Sequence, residues 1–246
     1  MDQSAFQRIV LKLSGEILAG NLAYGIDGKT VDRVASQIRE VKDLGIEVGV
    51  VVGGGNIIRG TSSRIPGVDR ITGDSMGMLA TIINSLALKS SLEAQGVSSH
   101  VLSAISIEGI VEPFEYKQAL SHLKNGHPVI FAGGTGHPYF TTDTTAALRA
   151  VEIGAEAIFK GTKVDGVYSD DPVKNPQATK YDHLSFLDIL EKNLRVLDVT
   201  AAALCMDNNI KLIVFNIQEE DVLKRILSGE SIGTIVEGIG HGEKEL

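Results

Sequence analysis

Five short stretches of this chain bring together residue types that bind and move phosphoryl groups. Lys12-Leu13-Ser14-Gly15 sets a cation, a hydroxyl and a glycine at the end of an apolar run. A lysine there needs an anionic partner if it is buried; otherwise its stem lies on apolar surface and its head reaches water. Gly53-Gly54-Gly55-Asn56, with Arg59 close behind, can turn backbone N–H groups toward an anion with no Cβ in the way. Arg59 would grip phosphate oxygens in a bidentate way, and the bland alternative is a glycine-rich turn. Gly133-Gly134-Thr135-Gly136 leads into Phe140-Thr141-Thr142-Asp143, joining a glycine loop, hydroxyl donors and a carboxylate. Thr142 or Asp143 could equally cap the helix that follows, a role compatible with an anion site at a helix start. Lys160 and Lys163 open the stretch to Tyr168, in which Asp165-Gly166 also reads as a hairpin turn. Asp170-Asp171-Pro172 looks like a solvated turn unless Asp171 meets a ribose hydroxyl.

These stretches must be held by regular elements. Arg8–Leu13, Val48–Val52, His100–Leu102, Val129–Ala132, Ala157–Lys160, Lys211–Phe215 and Thr234–Val236 read as strands. Several are apolar throughout, as parallel strands covered on both faces are. Between them, apolar residues at steps of three and four, such as Val31, Val34, Ile38 and Val41, predict helices. Further helices are predicted over Phe114–Asn125, from Thr142 to Val151, near Ser185–Asn193 and Asp198–Asp207, and over Glu219–Leu227. The alternation predicts an α/β three-layer sandwich with a mainly parallel central sheet. No Ser- or Pro-rich linker divides the chain, so residues 1–246 are read as one domain, with two lobes at most. In such sheets ligands lie beyond the carboxyl ends of the strands. The glycine clusters follow Leu13, Val52 and Ala132, so three loops converge on one edge.

Other chemistries fall away. A P-loop would need glycine where Ala23 stands, and a dinucleotide fingerprint would need one at Ile58. Zinc-ligand spacings are absent. A net charge of −8 and a pI near 5.3 argue against a nucleic-acid partner, although a few lysines can still form a local phosphate pocket. Cys205 is the single cysteine, so no disulfide forms within the chain, and its apolar surroundings place it in the core. With no signal-like start and no apolar run near the ~20 residues that span a bilayer, a soluble cytoplasmic protein is expected.

The same motifs, in this order, resemble the amino-acid kinase superfamily and, within it, the bacterial UMP kinases. The resemblance runs from about Arg8 to Val236 through the stretches Leu11 to Glu16, Val51 to Gly60, Gly73 to Ala80, Gly134 to Asp143 and Thr162 to Tyr168. It implies transfer of the ATP γ-phosphoryl group to UMP in pyrimidine nucleotide biosynthesis, with Mg²⁺ accompanying ATP. It also implies an acceptor-binding lobe over about residues 1–150 and an ATP-binding lobe over about 151–236. Lys12, Leu13, Ser14, Gly15, Gly55, Arg59, Thr162, Tyr168 and Asp171 would then contact ATP. Gly54, Asp74, Thr135, Gly136, His137, Pro138, Tyr139, Phe140, Thr141 and Thr142 would hold UMP. Lys12 and one of Lys160 and Lys163 would stabilise the moving phosphoryl group while Asp143 orients them; Asp198 is a further candidate near metal or substrate, or an N-cap. The family further implies a homohexamer, activation by GTP, to which Asn21–Ile26 would be linked, and inhibition by UTP. His137 and Tyr139 stand where Asn and Phe are usual, and Ser75 where a larger residue is common. Kinases that make acyl phosphates, and nucleotide-binding regulators without turnover, share enough of this pattern to be the alternatives.

Overall fold

Side chains of a strand point alternately to its two faces, and in the first strand, β1 (Arg8–Leu13), both faces are apolar. Ile9, Leu11 and Leu13 enter one buried cluster and Val10 the other. Lys12 follows Val10 onto the second face and is the one charged residue in the buried part of the strand. The computed structural model describes residues 6–58, 66–172 and 174–238.

After β1 come the single turn α1 (Gly15–Leu18), α2 (Gly28–Asp43), β2 (Glu47–Val52) and the long helix α3 (Arg70–Ala94). Strands β3 (His100–Ser103) and β4 (Glu112–Pro113), helix α4 (Tyr116–Lys124), β5 (Val129–Ala132), α5 (Thr142–Ile153) and β6 (Ala157–Thr162) follow. The last third holds β7 (Val167–Tyr168), β8 (Lys180–Tyr181), β9 (His183–Leu184), α6 (Phe186–Glu191), α7 (Val199–Asp207), β10 (Lys211–Asn216), α8 (Val222–Leu227) and β11 (Thr234–Val236).

Among the described residues nine strands form one sheet in the order β4-β3-β5-β2-β1-β6-β10-β11-β9. Every neighbouring pair is parallel except β10 and β11. Helices α1, α2, α3 and α8 bury their apolar residues on one face, and α4, α5, α6 and α7 on the other. This is the expected three-layer α/β sandwich, and no described helix is long and apolar enough to cross a membrane. Because β5, β2, β1 and β6 are adjacent and parallel, their carboxyl ends share one edge, and the glycine loops meet there.

The predicted elements appear with small shifts. Helix α4 starts at Tyr116, not Phe114, because the Glu115 carboxylate caps it by accepting from the N–H groups of Lys117 and Gln118. Helix α8 starts at Val222, not Glu219, because Asp221 adopts a left-handed φ of +52°. Asp165-Gly166 is not a hairpin turn: β7 pairs antiparallel with β8 across the longer loop 169–179. Asp165 instead accepts from the Tyr168 hydroxyl at 2.6 Å and the Lys180 ammonium at 3.2 Å. Cys205 is fully buried, and burial pushes its thiol up to about 12.

Gly49 lies in the middle of β2, where a Cβ would stand 2.8 Å from Phe131 Cε2 and 3.2 Å from Ile153 Cδ1. Gly49→Ala should therefore destabilise the fold by about 1–3 kcal/mol through overpacking. Urea unfolding measures this, and an unchanged midpoint would mean that Phe131 relocates freely.

Candidate active site

The parallel register sets Lys12 of β1 directly against Lys160 of β6. Both side chains lie on the face covered by α5, since Val10 and Ile158, two residues earlier on each strand, belong to that cluster. Asp143 comes to them from the first turn of α5, where the helix start favours a carboxylate. Its two oxygens meet Lys12 Nζ at 2.6 Å and Lys160 Nζ at 2.8 Å, and the three side chains are 8%, 12% and 17% exposed for Lys12, Lys160 and Asp143. Lys160 also donates to the Val196 carbonyl. Thr141, not Asp143, caps the helix, accepting from the N–H groups of Asp143 and Thr144. The capping alternative for Asp143 therefore fails, as does the solvent-reaching alternative for Lys12.

Electrostatics follow from this packing. Burial favours the neutral form of Asp143, but the two ammonium groups together outweigh it and hold its carboxyl below the ordinary value. Burial, reinforced by the Lys12 charge, lowers Lys160 to about 8 against the pull of Asp143. Two cations and one anion leave the covered trio with one net positive charge, a place prepared for an anion.

Glycines let the loops close around the trio. A Cβ on Gly15 would meet the Gly53 carbonyl oxygen at 2.7 Å and the Gly55 nitrogen at 2.8 Å, so only glycine allows the two loops to touch. The Gly53 N–H donates to the Leu13 carbonyl at 2.9 Å, so it is committed to the protein. Two buried amides brace this seam. Asn84 donates to the Gly53 carbonyl at 2.7 Å and to Asn56 Oδ1 at 2.7 Å, and Asn56 donates back to Asn84 Oδ1 at 3.0 Å and to the Gly25 carbonyl at 2.8 Å.

Two clefts open near the trio, which itself lines only the larger of them, through Lys160. One, of ≈ 410 Å³, is lined by Gly54, Gly55, Asp74, Thr135, His137, Phe140, Thr141 and Thr142 among others. Gly136, Pro138 and Tyr139 stand outside that lining. Tyr139 takes a φ of +72° and donates its N–H to Asp74 Oδ2 at 2.8 Å, while its ring lies under Arg70. The other cleft, of ≈ 600 Å³, is lined by Lys160, Thr162, Tyr168, Asp171 and Val196 among others. Leu13 is fully buried, its carbonyl is taken by the Gly53 N–H, and it lines neither cleft. Lys163 is not brought to Asp143; it lines a separate recess of ≈ 390 Å³ with Glu16, Tyr24 and Gly55. Arg59 lies outside the described residues.

The sequence profile of the Amino acid kinase family matches residues 7–216. This chain belongs to that family. It is 50% identical over 238 residues to the uridylate kinase of Legionella pneumophila (strain Paris), covering 97% of this chain and 96% of that one. The structure of UMP kinase from Bacillus anthracis superposes with a TM-score of 0.91 at 39% identity, covering 94% and 96% of the two chains. UMP kinase from Ureaplasma parvum gives 0.88 at 41%, covering 96% and 100%.

Of the two alternatives given for Asp198 the N-cap is the one seen, whereas Thr81 and Arg70 escaped the motif reading. Asp198 caps α7 through the Ala201 N–H and also accepts from the hydroxyls of Thr141 and Thr144, tying α7 to the turn that carries Asp143. Thr81 Oγ1 accepts from the Gly133 N–H at 2.9 Å and fixes the third glycine loop. Arg70 pairs with Asp74 at 2.6 Å. The available signal was Thr81, Asn84, Ser85 and Ser91, polar residues on the same helix face as Leu88 and Leu92. Both oxygens of Asp143 face ammonium groups and Asp198 is held by hydroxyls. A Mg²⁺ ion accompanying ATP would thus be held chiefly by phosphate oxygens and water, as this ion commonly is.

Asp143→Asn would leave two lysines covered without their counter-ion. The expected loss is about 3–5 kcal/mol, the cost of breaking a buried pair from one side. Denaturant titration checks it, and stability equal to wild type would separate Asp143 from both lysines.

Proposed function

We infer that this chain is an ATP-dependent UMP kinase: ATP and UMP give ADP and UDP. The observation that carries this reading is the Lys12–Asp143–Lys160 trio, with its net positive charge, on the sheet edge where two clefts open, the larger of them lined by Lys160. The names of the similar uridylate and UMP kinases supply the acceptor.

In the proposed assignment UMP occupies the ≈ 410 Å³ cleft, whose described lining falls within residues 16–145. ATP occupies the ≈ 600 Å³ cleft, lined from residues 160–214. This division supports an acceptor lobe over about residues 1–150 and an ATP lobe over about 151–236. Gly54, Asp74, His137, Phe140 and the threonines 135, 141 and 142 contact UMP. Gly136, Pro138 and Tyr139 shape the loop that carries them. Thr162, Tyr168 and Asp171 contact ATP, and Lys12 to Gly15, Gly55 and Arg59 serve its phosphates.

A UMP phosphate oxygen is already anionic at neutral pH, so its attack on the γ-phosphorus needs no general base. The bond from that phosphorus to the β,γ-bridging oxygen breaks in line, and ADP leaves with the electron pair. Lys12 and Lys160 stabilise the charge on the transferring group, while Asp143 fixes both ammonium groups. Bound Mg²⁺ supplies neutralisation of phosphate charge. Lys160 takes the role of the second lysine because it alone of the pair meets Asp143.

Assembly as a homohexamer belongs to the same reading, and the exposed apolar stripe Ile71, Leu79 and Ile83 along α3 supports a protein contact there. GTP activation and UTP inhibition follow from the resemblance, with Asn21–Ile26 bordering the Lys163 recess. A cytoplasmic location suits the substrates.

A coupled ADP-release assay with ATP and Mg²⁺ against UMP, CMP, dUMP, carbamate, acetylglutamate and aspartate tests the reaction. Turnover with UMP is expected; turnover only with a carboxylate or carbamate would overturn the acceptor. Lys12→Ala should lower kcat by about 10²–10³, the usual loss for one preorganised charge donor, and near-normal turnover would remove Lys12 from the mechanism.

Lys160 is the charged partner below about 8 and loses its proton as pH rises through that value. In the free enzyme kcat/KM for ATP should therefore fall on the alkaline side with an apparent pKa near 8. The kcat profile should hold to higher pH, because bound phosphate raises the pKa of an adjacent ammonium. A kcat/KM profile flat to about pH 9.5 would contradict the assigned role.

A further inference from the structure

At the sheet edge opposite the lysine trio, three imidazoles from three segments meet. His100 opens β3, His122 lies in the last turn of α4, and His127 sits in the turn leading to β5. The parallel register places His100 beside Val129, and the His127 N–H donates to the His122 carbonyl at 3.0 Å. One ring nitrogen of each histidine lies within 4.8 Å of the others. Two nitrogens, His122 Nε2 and His127 Nδ1, are buried without a hydrogen-bond partner among the described residues.

A buried imidazole nitrogen without a partner is costly, and such groups call for an explanation. Glu112 stands 3.4 Å from His100 Nδ1 and is held by Gln118 at 2.5 Å, an outer carboxylate of the kind that orients a ligating imidazole.

We propose that His100, His122 and His127 bind one divalent transition-metal ion, with Zn²⁺ best matched to three imidazoles and an open fourth position. Tetrahedral Zn–N bonds bring the nitrogens to about 3.3 Å from one another. The rings of His100 and His122 now stack at 3.4 Å between centroids. They converge in plane by turning about χ2, a torsion with a broad, shallow profile. The ion would pin the end of α4 to β3 and β5, far from the phosphoryl-transfer edge. Against the expectation that zinc-ligand spacings are absent, His122 and His127 form an H-x4-H pair within the range zinc sites use; the third ligand, His100, comes from another element and no local spacing announces it.

The test is calorimetric titration of the chelator-treated full chain with Zn²⁺ near pH 7.5, with Co²⁺ as a spectroscopic probe. One ion per chain and the visible spectrum of tetrahedral Co²⁺ are expected. Glu112→Gln should weaken binding about 10–100-fold, and His122→Gln or His127→Gln by at least that much. Binding should fade below about pH 6 as the imidazoles take up protons, while kinase turnover in the variants stays at the wild-type rate. Sub-stoichiometric uptake by the wild-type chain would overturn the proposal. So would undiminished binding in the double variant His122→Gln/His127→Gln, shown to be folded by its circular dichroism. If that double variant does not fold, His100→Asn serves, since its ring is one quarter exposed.

Discussion

Two ammonium groups on neighbouring strands, both largely withdrawn from water, repel each other and resist desolvation unless a carboxylate stands between them. The rest of the site is arranged around that requirement. The sheet order puts β1 beside β6, the register puts Lys12 beside Lys160, and α5 enters so that its first turn delivers Asp143 to both. Thr141 starts the helix at the necessary residue, and Asp198 holds Thr141 and Thr144 in turn. One carboxylate shared between two cations leaves a residual positive charge that reaches the larger cleft through Lys160, and phosphoryl chemistry uses a positive centre of that kind.

The glycine loops and α3 supply the second half of the construction. Close approach of the first two loops is a matter of volume, since any Cβ at Gly15 meets backbone atoms. Their fixed position is a matter of hydrogen bonding. Asn84 and Asn56 satisfy each other while holding the Gly53 and Gly25 carbonyls, so a polar pair survives in the interior without leaving its polar atoms orphaned. Helix α3 thus bears on the site at three points: through Asn84 on one glycine loop, Thr81 on the next, and Asp74 on the segment around Tyr139.

Much of this was legible in the residues. Strands covered on both faces read as apolar runs, and glycine clusters immediately after them mark the ligand edge, so fold class and the convergence of loops followed from Leu13, Val52 and Ala132 alone. Lys12 stood out as a charge where burial was expected. The choice between Lys160 and Lys163 was not legible, because it depends on which residue of β6 faces α5, a matter of register with β1. The Asn56–Asn84 pair was hidden for a similar reason: its members are 28 residues apart and each looks like an ordinary polar residue by itself. Strands β4, β7, β8 and β9 have two residues each, too few to show any alternation. The H-x4-H pair His122 and His127 was legible, but His100 joins it only when β3 and β5 pair.

The ≈ 410 Å³ cleft draws its walls largely from α3 and the segment between β5 and α5, whereas Lys12 and Lys160 come from two central strands. If UMP occupies that cleft as proposed, selectivity and reactivity are written in separable parts of the chain. Residues such as Met78, His137 and Phe140 can drift, by gene duplication and divergence, toward a differently shaped acceptor without disturbing the lysines. Asp143 cannot drift with them, since one side chain serves both cations. A scaffold of this kind gives lineages freedom in what they phosphorylate and little freedom in how.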